Sequence, residues 1–98
     1  MKAQEAVLKL RACAPRIVPY GVSGLFLFGS TARDAAGERS DVDLFVDHAQ
    51  NPKFNAFDLI DVKAIIENEL GVAVDLTTRG GLHPKLRERI EREAVKVF

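Results

Sequence analysis

The sequence has few of the residues that build disulfide frameworks or thiolate metal centres. Its 98 residues include one cysteine, one methionine, one tyrosine and no tryptophan. Cys13 alone can form neither an internal disulfide nor a multi-thiolate centre, so we expect it to act as a small apolar helix residue in a reducing cytoplasm. Long hydrophobic runs and an apolar N-terminal block are also missing, so neither a membrane span nor a signal peptide is expected.

The sequence also has no excess of charge. Fourteen basic and fourteen acidic residues cancel, so no global field draws the chain to nucleic acid or to an anionic membrane, and direct binding to either is not expected. A hydrophobic fraction of 47% and a charged fraction of 29% are ordinary for a globular protein. The length predicts a single domain, residues 1–98, with one modest core.

The hydrophobic pattern predicts an α+β fold with a small mixed sheet of three to four strands and helices packed on it. Boundary signals are Pro15 after the first helix, Ser30 and Asn55 as helix caps, and Gly71 as a helix stop. The predicted helices are residues 3–14, 30–34 and 56–70 and a last helix opened by Pro84. The predicted strands are residues 24–28, 42–47 and 72–76.

Two helices carry apolar residues that we expect to pack on the sheet. On the long helix these residues form a wide stripe, which comprises Phe57, Leu59, Ile60, Val62, Ala64, Ile66 and Leu70. On the last helix apolar residues recur every four positions, at Leu82, Leu86, Ile90 and Ala94. The opposite face of that helix is rich in charged residues and is expected to face solvent.

Three aspartates have a pattern that suits a metal ion. Asp41 and Asp43 are two residues apart, a spacing that places both side chains on one face of a strand, about 6.5–7 Å apart. Carboxylates this close repel unless a cation compensates, and Mg²⁺ prefers such hard oxygen ligands. Asp75 interrupts another apolar strand, where an unpaired buried charge would be expensive. If the two strands are neighbours, the three carboxylates can form one cluster.

Gly29 and Ser30 end the first strand and suit a phosphate group. Glycine lets the backbone approach a bulky anion, and the following helix start presents free amides. The Ser30 hydroxyl can donate to a phosphate oxygen, and Arg33 lies one turn later. Phosphates on one side and carboxylates on the other define a site for a metal-bound triphosphate, in which two ions can act.

Each of these residues also has a purely structural interpretation. The Gly-Ser pair can be a simple turn, Asp43 an edge-strand charge and Arg33 a solvated side chain. Ser40 and Asp41 can cap a turn, and Asp75 can pair with Arg79 or with another cation on the surface. The combination favours the nucleotide site, because Gly-Ser, ten intervening residues, Asp-x-Asp and a later strand aspartate occur in order.

The segments GSTARDAAGERSDVDLFV and VAVDLTT resemble the motifs of the DNA polymerase β-type nucleotidyltransferase superfamily. The small size and the ending HPKLRERIEREAVKVF are similar to its minimal nucleotidyltransferases (MNT), many of which are antitoxins paired with HEPN-domain ribonuclease toxins. The resemblance implies that fold, and transfer of AMP from ATP to a tyrosine hydroxyl of the toxin, which silences it. The same resemblance implies that Asp41, Asp43 and Asp75 bind magnesium and are the catalytic residues. The resemblance also implies that Gly29 and Ser30 hold the triphosphate, and the predicted nucleotide-binding residues further include Arg33 and Ser40.

Other acceptors and other roles stay open at this point. About one hundred residues leave little wall to enclose a base and an acceptor, which favours a polypeptide acceptor that closes the site from outside. The alternatives are transfer to a small molecule and a non-catalytic antitoxin that acts by contact. Asp34 departs from the glycine often found in this motif, and we expect its carboxylate to point outward. The apolar faces of the first and last helices could serve a homo- or hetero-oligomer.

Overall fold

The computed structural model describes residues 1–35, 41–50 and 54–98, and within these ranges five helices pack with one four-stranded sheet. The helices are α1 Ala3–Ala12, α2 Ala14–Ile17, α3 Gly29–Ala32, α4 Ala56–Leu70 and α5 Arg87–Glu93. The strands are β1 Val22–Phe28, β2 Val42–His48, β3 Val74–Thr78 and β4 Val95–Lys96. None of the helices in the described ranges is both long enough and apolar enough to cross a membrane.

The sheet is mixed, with the strand order β3-β2-β1-β4. Strand β1 is antiparallel to both β2 and β4, whereas β2 and β3 are parallel. A parallel pair needs a long crossover connection, and α4 supplies it between β2 and β3. The predicted mixed α+β architecture is therefore confirmed.

The two faces of the sheet differ in what covers them. Leu25 and Leu27 of β1 and Leu44 of β2 are fully buried, in a core that includes residues of α1 and α4. The alternate residues of these strands project from the opposite face. There Phe28 and Asp43, which are register partners, are only partly covered. One face thus stabilises the fold, and the other is available for a site.

Helix α4 has the predicted bounds, but its predicted apolar stripe is partly wrong. The Asn55 side chain accepts hydrogen bonds from the backbone N–H groups of Phe57 (2.9 Å) and Asp58 (3.1 Å), and Gly71 ends the helix with φ 72°. The stripe buries Val62, Ile66 and Leu70. Phe57 and Ile60 are 78% and 61% exposed, and Ala64 is exposed too, because a helix lying on one sheet buries only one side.

Two helix boundaries predicted from the sequence, one before and one after β1, need correction. A second short helix, α2, begins at Ala14 where a connection was predicted, and Pro15 fits in its first turn because that turn does not use the missing N–H. Ser30 does not cap α3, since Phe28 occupies the cap position and Ser30 lies inside the first turn. The predicted turn at residues 51–52 lies outside the described residues.

The C-terminal segment forms a strand where the sequence pattern predicted more helix. The last helix begins at Arg87, not at Pro84, and ends at Glu93. Val95 and Lys96 then pair with Leu27 and Phe26 of β1, and the N–H of Val97 donates to the Leu25 carbonyl at 2.8 Å. Backbone groups along the free edge of β1 need partners, and this segment satisfies them. Strand β3 also runs two residues beyond its predicted end.

Candidate functional site

The register of the parallel strands brings two of the predicted carboxylates together. Asp43 of β2 and Asp75 of β3 are direct register partners, and neighbouring strands lie about 4.8 Å apart. Burial of Asp43 and the negative charges of Asp75 and Asp41 raise the pKa of its carboxyl, while Arg33 acts in the opposite direction. The three aspartates therefore concentrate negative charge at one end of the sheet.

These carboxylates fit a magnesium ion in type and charge but do not form a closed ligand cluster. Within residues 1–35, 41–50 and 54–98, no three Asp, Glu, His or Cys side chains converge on one point as metal ligands. Hard oxygen donors held on adjacent strands are the ligand type that magnesium prefers. The metal-binding roles of Asp41, Asp43 and Asp75 stay a prediction.

The environment of Asp75 differs from both sequence-based expectations. The side chain is exposed on the edge strand β3, not buried in an apolar strand. Arg79 does not pair with it, because its guanidinium binds Asp47 at 2.7 Å and Glu91 at 2.6 Å. In the described part of the chain Asp75 has no ion-pair partner. Its carboxylate is therefore available to a ligand from solvent.

Gly29 joins β1 to α3 in a conformation and a space that suit only glycine. Its φ is 73°, in the left-handed region. A Cβ at this position would overlap Oδ2 of Asp43 and would lie 3.1 Å from its Cγ. The backbone at the start of α3 therefore lies directly against the Asp43 carboxylate. The first amides of α3 have no partner within the helix, which is the arrangement predicted for a phosphate.

A cleft of about 340 Å³ lies in front of this junction. Four of the predicted residues line it, namely Gly29, Ser30, Arg33 and Asp43. Phe28 and four residues of the C-terminal helix region, Leu86, Arg89, Ile90 and Glu93, complete its walls. Asp41 and Asp75 do not line the cleft. Their negative charges act on Asp43, which does line it. Ser40 lies outside the described residues, so its predicted role stays a prediction.

The contribution of α5 to the cleft was not predicted from the sequence. The helical pattern predicted a core stripe that includes Leu86 and Ile90, and a solvated face that includes Arg89 and Glu93. Leu86 is instead 42% exposed. The spacing of the four residues is that of one helix face, since each lies three or four positions from another. They are Leu86, Arg89, Ile90 and Glu93. That mixed apolar and charged face was the signal available in the sequence.

Arg79 fixes α5 to the open face of the sheet. Its guanidinium lies 4.9 Å from the ring centroids of both Phe26 and Phe45, and it donates to Asp47 and to Glu91 of α5. These hydrogen bonds lower the pKa of both carboxyl groups. One wall of the cleft therefore depends on a cation bound between the sheet and α5.

Asp34 has a structural role that explains its departure from the motif. Its φ is 55°, a left-handed value that glycine adopts easily and that aspartate tolerates better than most residues. The carboxylate accepts a hydrogen bond from the backbone N–H of Ala3 at 2.6 Å. It thus serves the start of α1, where Lys2 provides no side-chain cap. The expectation that Asp34 points away from the phosphates agrees with this contact.

Replacing Asp34 with alanine is expected to lower the free energy of unfolding by about 1–2 kcal/mol, because it removes the bond to Ala3 and leaves alanine in a left-handed conformation. Urea unfolding of the purified variant measures this loss. Asp34→Asn, which keeps both an acceptor and tolerance of the conformation, should stay within about 0.5 kcal/mol of the original protein. Equal stability of the alanine variant would exclude the helix-capping role.

The motif geometry agrees with what a family comparison finds. A model of the nucleotidyltransferase domain matches residues 7–97 of the chain. The chain belongs to this nucleotidyltransferase family. The protein is a nucleotidyltransferase. Three residues of its predicted motif, Gly29, Ser30 and Asp43, line the cleft, and their roles in the reaction stay a prediction.

Individual relatives extend this result. A protein of Methanocaldococcus jannaschii named as a protein adenylyltransferase is 37% identical over 88 residues, covering 90% of this chain and 92% of its own. A solved minimal nucleotidyltransferase structure has a TM-score of 0.75 and 34% identity, covering 97% and 95% of the two chains. A chain in the structure of a tri-AMPylated Shewanella oneidensis HEPN toxin bound to an MNT antitoxin has a TM-score of 0.69 at 17% identity, covering 98% of this chain and 71% of that one. This last match shows a shared fold.

Proposed function

We propose that this nucleotidyltransferase is an antitoxin that transfers AMP from ATP to a hydroxyl group, that of a tyrosine, on a HEPN-type ribonuclease toxin in the cytoplasm. The observation that carries the proposal is the alignment of Asp43 with Asp75, directly against the Gly29 turn. The name of the M. jannaschii relative and the AMPylated toxin in the S. oneidensis complex support a protein acceptor.

In the proposed reaction the acceptor oxygen attacks the α-phosphorus of ATP, and the bond from that phosphorus to the β-phosphate oxygen breaks, releasing pyrophosphate. The amides at the start of α3, the Ser30 hydroxyl and Arg33 hold the phosphates. Exposed Asp75 takes the proton from the acceptor hydroxyl. Two magnesium ions, held by Asp41, Asp43 and Asp75, would neutralise the phosphate charge and activate the acceptor oxygen.

The open cleft is consistent with an acceptor that comes from outside. Among the described residues, the cleft is lined by the β1–α3 junction, Asp43 and the region of α5. Asp75, on the neighbouring edge strand, is exposed. A folded partner that presents a hydroxyl at this edge would complete the enclosure and exclude water. A small acceptor would lack this closing surface. A toxin bound without chemistry would leave the aspartates without a function.

Intact-mass spectrometry of a HEPN-type ribonuclease from the same organism, after incubation with this protein, ATP and magnesium, tests the proposal. We expect the toxin mass to rise by whole AMP units and its ribonuclease activity to fall. EDTA should prevent both changes. Inhibition without a mass increase would favour a non-catalytic antitoxin, and a labelled aminoglycoside or other small product would favour a small-molecule transferase.

A further inference from the structure

The wall that α5 contributes to the cleft carries an apolar patch. Leu86 lines the cleft, and 42% of its surface is exposed to solvent. Ile90, one turn later, also lines the cleft and is only partly buried. Phe28, which is also partly exposed, faces the same cleft from the end of β1. Three apolar side chains around one cleft favour a flat, weakly polar group as their occupant.

The same wall carries a cation that the described structure does not use. Arg79 and Arg87 of this region are bound to Glu91. Arg89 lines the cleft, and within the described ranges it has no ion-pair partner. Arg33, which follows α3 and also lines the cleft, has none there either. Two guanidinium groups on different elements thus border the same space.

The charges in the cleft also indicate where an anion would lie. Arg33 directly follows α3, and Arg89 belongs to α5, so the two cations border the cleft from different elements. Asp43 and Glu93 are the acidic residues among the nine that line the cleft, and Glu93 lies one turn beyond Arg89. The phosphate groups are therefore most favourably placed between Arg33 and Arg89 and away from Glu93. Close to Asp43 they need a cation that screens its negative charge.

We infer that the cleft-facing side of α5 is the nucleotide-binding wall, in which Arg89 binds the phosphate chain opposite Arg33, and Leu86 and Ile90 cover the base together with Phe28. This inference rests on the proposed function and adds to it the residues that bind the substrate. A cleft of about 340 Å³ is within the size range of small-molecule sites. The charged guanidinium acts on the phosphates, whereas the apolar contacts act on the base.

Isothermal titration calorimetry with three ligands separates these two roles. In the presence of magnesium we expect Arg89→Gln to weaken ATP and tripolyphosphate binding about tenfold or more, because a charge-assisted hydrogen bond is lost, and to leave adenosine binding unchanged. Leu86→Ser should weaken ATP and adenosine binding about fivefold, because a buried apolar contact is lost, and should leave tripolyphosphate binding unchanged. Arg89→Lys should keep part of the phosphate affinity, since it keeps the charge.

Matched controls exist on the same helix and in the same chain. Arg92, which is exposed on α5 and does not line the cleft, should be replaceable by glutamine without effect. Leu8, 60% exposed on α1, is the control for Leu86. Unchanged ATP affinity of both Arg89→Gln and Leu86→Ser would overturn the inference while AMP transfer by the original protein still stood. Absence of ATP binding by the original protein would overturn the proposed function and the inference together.

Discussion

Asp43→Asn is expected to lower the rate of nucleotide transfer by about 10³-fold or more without changing the fold. The substitution removes a predicted metal-ligand oxygen on β2, whose register partners are Phe28 of β1 and Asp75 of β3. A bound metal supplies several kcal/mol of charge stabilisation, and a loss of about 4 kcal/mol corresponds to that factor. Initial rates of AMP transfer, measured with labelled ATP, give the size of the effect.

The stability of the metal-free variant should move in the opposite direction. Because the folded environment raises the pKa of Asp43 above its usual 3.8, ionised Asp43 opposes folding. This unfavourable contribution is absent below the usual pKa and develops as the pH rises through the raised value. At neutral pH the Tm of metal-free Asp43→Asn should therefore equal or exceed that of the original protein.

A matched carboxylate tests whether the loss of transfer is local. Asp61 is exposed on α4, in the layer on the other side of the sheet, and Asp61→Asn should transfer AMP at the original rate. Asp41→Asn should resemble Asp43→Asn. If the purified double variant of Asp41 and Asp43 transferred AMP normally, these aspartates would have no role in catalysis.

Gly29→Ala is expected to lower the transfer rate by about 10²-fold. The new Cβ would displace either the backbone at the proposed phosphate site or the Asp43 carboxylate, and a displacement of about 1 Å can cost this much. It should also lower the free energy of unfolding by about 1–2 kcal/mol through the left-handed conformation alone. The overlap with Asp43 adds to that loss. Transfer rates and urea unfolding, measured on the same preparation, give both quantities.

Gly71 is the matched control for Gly29. Its φ is 72°, against 73° for Gly29, and a Cβ there would meet nothing within 4 Å. Gly71→Ala should therefore show the conformational cost without the loss of transfer. If both variants transferred AMP equally well, close packing of Gly29 on Asp43 would not matter for the reaction. Direct comparison separates backbone strain from damage to the site.

Local signals in the chain were sufficient for the elements that depend on neighbouring residues. The bounds of α4 follow from a capping box at Asn55 and a left-handed glycine at position 71, both formed within a few residues of the helix ends. The strands β1 and β2 follow from consecutive apolar residues. The predicted nucleotide-site motif was readable for the same reason, since Gly29, Ser30 and Asp43 belong to one short segment of sequence.

The tertiary structure decided what depends on residues far apart in the chain. Strand β4 exists because the edge of β1, about 70 residues earlier, offers unpaired backbone groups. The partner of Arg79 is Asp47, 32 residues away, and not Asp75, which is closer in sequence. The position of α5 beside the cleft depends on the hydrogen bonds that Arg79 donates to Asp47 and Glu91. Helical spacing shows which residues share a face, but only packing shows whether the face meets a core, solvent or a substrate.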